Sequence, residues 1–72
     1  MSALDVRNVY VNDQRTSLRL EPSFWDALED IARRKNTALN TVISDIANQR
    51  GDGSLTSAVR VYVLDYYRQR AH

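Results

Sequence analysis

Arg15, Ser17 and Arg19 alternate with Thr16, Leu18 and Leu20. An arginine guanidinium is a planar fork of donors that can hold a phosphate or a guanine edge through two hydrogen bonds at once. A serine hydroxyl both donates and accepts. Arginine outnumbers lysine nine to one in this chain. The excess alone identifies no binding surface, because a GC-rich coding sequence produces the same bias, so position must decide. Other chemistry is sparse. There is no cysteine, and the one histidine is His72. Disulfides, thiolate-ligated zinc or iron and a Cys or His nucleophile system are thereby excluded. No glycine-rich phosphate loop and no metal-ligand spacing occur. Asp26 and Asp30 are four residues apart and could pose as a carboxylate pair, but beside arginines on a helix face they read as surface charges. Tyr62, Tyr66 and Tyr67 carry the aromatic surface that stacks on single-stranded bases; their helical spacing in an apolar segment reads instead as core or interface packing. The chain is expected not to be an enzyme, and no cofactor or metal is expected.

A strand over residues 14–20 is what would place Arg15, Ser17 and Arg19 on one face, with Thr16, Leu18 and Leu20 on the other. Before it lies an N-terminal arm, residues 1–13, in which Val6, Val9, Tyr10 and Val11 favour strand. Val9 and Val11 fall on the odd phase, beside the arginines in a continuous strand, and a turn at Asn12-Asp13-Gln14 resolves the mismatch. Residues 22–35 read as a helix. Pro22 suits its first position, Phe24, Leu28, Ile31 and Ala32 make its apolar stripe, and Asn36 can end it in the left-handed conformation. Glu29 with Arg33, and Asp30 with Arg34, are i,i+4 pairs. Trp25 is expected to cover an edge of the core. A second helix spans 38–50, with Thr37 as N-cap, Leu39, Ile43, Ile46 and Ala47 on one stripe, and Gly51 closing it. A third spans 54–70, capped by Ser54, with Leu55, Ala58, Val59, Tyr62, Val63 and Tyr66 on one side and Val61 and Leu64 on another. Residues 59–63 also fit a strand, but the length of the segment favours a helix.

The 72 residues make one small domain, with 43% hydrophobic and 26% charged residues and a net charge of +1. A single core of this size supplies roughly 3–5 kcal/mol without a staple. With disulfide and metal removed, self-association is the expected staple. No apolar run reaches the length of a membrane span. The first residues lack a basic-then-apolar leader, and the expected location is cytoplasmic. A lone strand at 14–20 must also send its backbone groups somewhere; two copies pairing antiparallel would satisfy it and complete the core.

The stretch from Arg15 through Pro22 and Trp25 to Ala32, followed by Lys35-Asn-Thr-Ala-Leu-Asn-Thr-Val-Ile, resembles the ribbon-helix-helix DNA-binding proteins of the Arc, MetJ and CopG type. The tail from Leu55 to Arg68 resembles a short bacterial subgroup with a third helix. The likeness covers about residues 14–70. It implies a mostly α fold with a short N-terminal β-strand: an intertwined homodimer with an intersubunit antiparallel ribbon, a third C-terminal helix and room for an extra N-terminal strand. It implies double-stranded DNA binding as a homodimeric transcriptional regulator, a repressor, with the ribbon in the major groove. Carried over, the base-contacting residues are Arg15, Ser17 and Arg19. The phosphate-contacting residues, at the start of the second helix, are Thr37, Leu39, Asn40 and Thr41. The dimer core is Leu18, Leu20, Phe24, Leu28, Ile31, Leu39, Ile43 and Ala47.

Three departures stand out. Asn36 replaces a common glycine, and Ala38 replaces a common Ser or Thr cap. The strand-like arm is extra: residues 6–11 either fold back on 15–20, giving a dimer sheet of four strands, or lie along the DNA with Arg7 near phosphate. Two other functions stay open. One is the DNA-binding antitoxin of a toxin–antitoxin pair, which a compact apolar last helix disfavours. The other is a protein-interaction module of this fold, with a protein partner at the third helix. Pairing of dimers on DNA also stays open.

Overall fold

The computed structural model describes residues 3–70. The histidine singled out above, His72, lies outside them. Two strands, β1 (Asp5–Val11) and β2 (Gln14–Leu20), are followed by three helices, α1 (Pro22–Arg34), α2 (Leu39–Gln49) and α3 (Leu55–Arg70). The strands form a two-stranded antiparallel sheet. Their link is two residues, Asn12 and Asp13, with φ of 52° and 69°. Both are left-handed, as a type I′ hairpin turn requires, and Asn and Asp are the non-glycine residues that tolerate it.

This turn sets the register. Val11 faces Gln14, Val9 faces Thr16, Arg7 faces Leu18 and Asp5 faces Leu20. Odd positions of β1 thus share a face with even positions of β2, and Val9, Leu18 and Leu20 are buried together. The phase mismatch noted in the sequence is what a two-residue turn produces. Within the chain β2 thus pairs with β1, the fold-back of residues 6–11 on 15–20 that the sequence left open. A two-residue loop closes this pairing at small entropic cost.

The helices begin and end within a residue of the expected limits. Pro22 is at the start of α1, after Glu21 in an extended N-cap conformation. Asn36, at φ 56°, ends the helix in a Schellman motif: the Asn36 amide donates to the Arg33 carbonyl (3.1 Å) and the Thr37 amide to the Ala32 carbonyl (2.9 Å). That use of Thr37 moves the N-cap of α2 to Ala38, which has no side-chain cap bond. Gly51 is not needed for closure, since Arg50 leaves α2 in an extended conformation and no described glycine has positive φ. Ser54 caps α3 as expected, its Oγ accepting from the Ser57 amide at 3.1 Å. Residues 59–63 are helical.

The core joins the sheet to all three helices. Trp25 is at its centre, with no exposed surface, and its Nε1 donates to the Asp5 carbonyl at 3.0 Å. It does not cover an edge. Phe24 is half-buried instead, because the stripe of α1 is set by Trp25, Leu28, Ile31 and Ala32. Val42 joins Ile43 and Ile46 on α2, and Val59, Val63 and Tyr66 line α3. Arg7 stacks over the Trp25 ring at 4.7 Å and pairs with Glu29 at 2.8 Å. Glu29 therefore does not hold Arg33, and Arg7 does not lie on an outward face. Asp30 holds Arg34 at 2.8 Å as expected, and Arg33 more loosely at 3.5 Å.

Candidate nucleic-acid interface

The outward face of the hairpin is built by the positions that the core leaves over. Arg15, Ser17 and Arg19 are all exposed there. Opposite them in register are Tyr10, Asn8 and Val6, also exposed. The face is thus two columns of three: Tyr10 beside Arg15, Asn8 beside Ser17, Val6 beside Arg19. The Ser17 hydroxyl donates to Asn8 Oδ1 at 3.0 Å. Arg7, Arg33, Arg34 and Arg60 stand in ion pairs, Arg33 and Arg34 sharing Asp30; among the described residues neither Arg15 nor Arg19 has an acidic partner. Two unneutralised guanidinium groups on a sheet whose reverse is locked into the core can present charge-assisted donors at fixed spacing.

The β1 edge of this sheet is held by α2. Asn40 Oδ1 accepts from the Tyr10 amide at 3.2 Å, and Ser44 Oγ donates to the Tyr10 carbonyl at 3.3 Å. Asn12 Nδ2 donates to Asn48 Oδ1 at 2.8 Å. The start of α2 and the hairpin turn consequently share a shallow groove lined by Tyr10, Asn12, Asp13, Asn40, Thr41 and Ser44. Of the residues expected at phosphate, the structure brings Asn40 and Thr41 next to the ribbon. The Thr41 amide donates to the Ala38 carbonyl at 3.1 Å, and the Thr37 amide is used in the Schellman turn. The Leu39 and Asn40 amides have no acceptor among the described residues, so the helix start offers two free amides.

The expected dimer-core residues divide. Leu18, Leu20, Leu28, Ile31 and Ile43 are buried within one chain. Phe24 and Leu39 are partly buried against that core, and Ala47 is intermediate; these three keep accessible surface.

Two carboxylates brace the scaffold. Arg60 grips both Glu21 carboxylate oxygens through its Nε and Nη2, at 2.9–3.2 Å, and this holds the Glu21 carboxyl below its usual range. The Tyr67 hydroxyl donates to Asp30 Oδ2 at 2.6 Å. Tyr67 and then Arg34 lower the Asp30 pKa, while burial and that same bond raise the Tyr67 phenol. These groups tie α3 to α1. They form no acid–base pair in a cleft, and the described residues hold no cluster of metal-ligating side chains.

Asn8 and Tyr10 were missed as surface candidates. Their signal was the Asn12-Asp13 turn, which, read as two residues long, places them opposite Ser17 and Arg15.

Residues 4–67 match the family model described as a ribbon-helix-helix domain. No curated protein and no solved structure matches the chain.

Proposed function

The chain belongs to the ribbon-helix-helix domain family, and on that premise we propose that it is a homodimeric transcriptional regulator, a repressor, that binds double-stranded DNA with its ribbon strand, β2, in the major groove. Proteins of this family generally bind DNA, as transcriptional regulators or as antitoxins. The observation that carries the proposal is the outward face of β2, where Arg15 and Arg19 stand exposed and unpaired while Leu18 between them is buried. A two-stranded ribbon is one of the few protein shapes that the major groove admits. Arg15 and Arg19 suit guanine O6 and N7, and Ser17 suits either base type. At the start of α2, the free Leu39 and Asn40 amides and the Thr37 and Thr41 hydroxyls suit a backbone phosphate. Occupying an operator is sufficient to repress and requires only this face. A second copy doubles the phosphates contacted, and Phe24, Leu39 and Ala47 keep apolar surface for it.

The test is a titration of fluorescent duplex from the gene's upstream region at two salt concentrations, with random duplex beside it. Selective binding whose log–log salt slope is about −0.9 per phosphate contacted is the expected result. Weak, equal binding to both duplexes overturns the proposal. A second reading, a protein-interaction module, is favoured by one observation: Val61 and Leu64 on α3 are 56% and 58% exposed. It predicts binding with little salt slope, abolished by Val61→Asp.

A further inference from the structure

We propose, resting on the DNA-binding reading above, that β1 is a rim strand: Asn8 and Tyr10 hydrogen-bond the phosphates that wall the major groove, on either side of a ribbon made by β2 of two copies. Pairing of β2 between copies is what the family likeness implies, and the two edges of the hairpin suit it. Val11 and Gln14 flank a two-residue turn, so they and the pairs Val9–Thr16 and Arg7–Leu18 exchange backbone hydrogen bonds across the hairpin. The backbone groups of Asn8 and Tyr10 then point to the β1 edge, and those of Arg15, Ser17 and Arg19 to the β2 edge. α2 covers the first edge at Tyr10, whose amide and carbonyl are bonded to Asn40 and Ser44. Among the described residues no strand pairs with the second. That is the edge open to another strand.

Width then sorts the side chains. A sheet in the order β1, β2, β2, β1 has its inner strands about 4.8 Å apart and its outer strands roughly 14 Å apart. The major groove is about 12 Å wide. The inner pair enters the groove, and each outer strand lies over a sugar–phosphate wall. Arg15, Ser17 and Arg19 meet bases. Asn8, opposite Ser17, and Tyr10, opposite Arg15, are exposed on the same face and meet phosphate.

Their chemistry fits that position. The Ser17 hydroxyl donates to Asn8 Oδ1 at 3.0 Å, which leaves the Asn8 Nδ2 hydrogens for an outside acceptor. The Tyr10 phenol is a donor on a residue 54% exposed, and α2 fixes its backbone. Tyr10 and Asn40 line one groove, so Asn8, Tyr10 and the free amides at the start of α2 form one row of donors along each wall. Neither Asn8 nor Tyr10 is charged. They add affinity without releasing counterions, and they carry no sequence preference.

The test is titration of the full chain, Asn8→Ala, Tyr10→Phe and Arg15→Ala on upstream and random duplexes, then on upstream duplexes carrying one uncharged methylphosphonate at each position in turn. Asn8→Ala and Tyr10→Phe should each weaken binding to both duplexes by the same factor, about tenfold, with selectivity and salt slope unchanged. Arg15→Ala should lower selectivity. A methylphosphonate at the phosphate that Tyr10 contacts should weaken the full chain and leave Tyr10→Phe unaffected. Tyr10→Phe removes one oxygen and keeps the ring, so its loss is one of contact and not of folding. Full affinity in both β1 variants, or a loss confined to the upstream duplex, overturns the rim role and leaves DNA binding standing. A full chain that binds both duplexes weakly and equally overturns the DNA-binding reading and the rim role with it.

Discussion

Asp30 accepts from Tyr67 and Arg34, and Glu21 accepts from Arg60, so the best-bonded carboxylates of the chain join α1 and its N-cap to α3. Both have pKa values lowered from the ordinary 4.5 of Glu21 and 3.8 of Asp30. A carboxyl whose folded pKa is depressed adds stability above its unfolded pKa and loses it as pH falls through the folded value. The thermal midpoint should therefore stay level from pH 7 to about 5 and drop as pH falls below about 4.5 and then 3.8. Tyr67→Phe should shrink the drop, because it removes the first cause of the Asp30 shift; an unchanged acid limb would contradict this. Buried apolar residues give a larger effect. Trp25→Ala should cost about 3–5 kcal/mol in urea unfolding, and Phe24→Ala, half-buried beneath Arg60, clearly less. The sequence ranked these two the other way. Residues 24, 28, 31 and residues 25, 28, 32 both satisfy helical spacing, and what selects Trp25 is the Asp5 carbonyl waiting for its indole N–H. That carbonyl is placed by β1, whose position no spacing within α1 could disclose. By contrast the outward placement of Arg15, Ser17 and Arg19 needed only the alternation of their own strand.

At the scale of elements, three helices and one strand were legible because each carries its own period and its own end signals, such as Pro22, Asn36 and Ser54. The cap of α2 was not, because Thr37 is claimed by the end of α1 before it can serve the start of α2. The element that matters most is the turn. Asn12 and Asp13 are both left-handed, a conformation that β-branched residues adopt only under strain. Asp13→Val should cost about 1–2 kcal/mol, while Asp13→Gly should be tolerated, each measured by urea midpoint. If the hairpin is what holds the reading face, Asp13→Val should also weaken operator binding more than it weakens binding to random duplex. Equal loss on both duplexes would mean that the face does not depend on the turn.

For the whole molecule, part of the staple that so small a core requires is local. Within one chain β1 supplies Val9 to the core, the acceptor for Trp25, the counterpart of Glu29 and a strand neighbour for β2. The sequence named self-association as the staple and left open whether residues 6–11 fold back on 15–20; what it could not settle was that choice, which the two-residue turn decides. Removing residues 1–12 recreates the problem that the full chain solves internally. β2 then has no strand neighbour, and Leu18 and Leu20 lose Val9 from their shared face. The truncated chain can recover a ribbon only by pairing β2 with β2 of a second copy, and a fold formed by association has a stability set by chain concentration. Its thermal midpoint should rise with concentration, where the hairpin core of the full chain predicts a midpoint above it at every concentration tested. A truncated chain that unfolds cooperatively at a concentration-independent midpoint equal to that of the full chain would show that β1 contributes nothing to the core, and the face it shares with β2 would lose its scaffold.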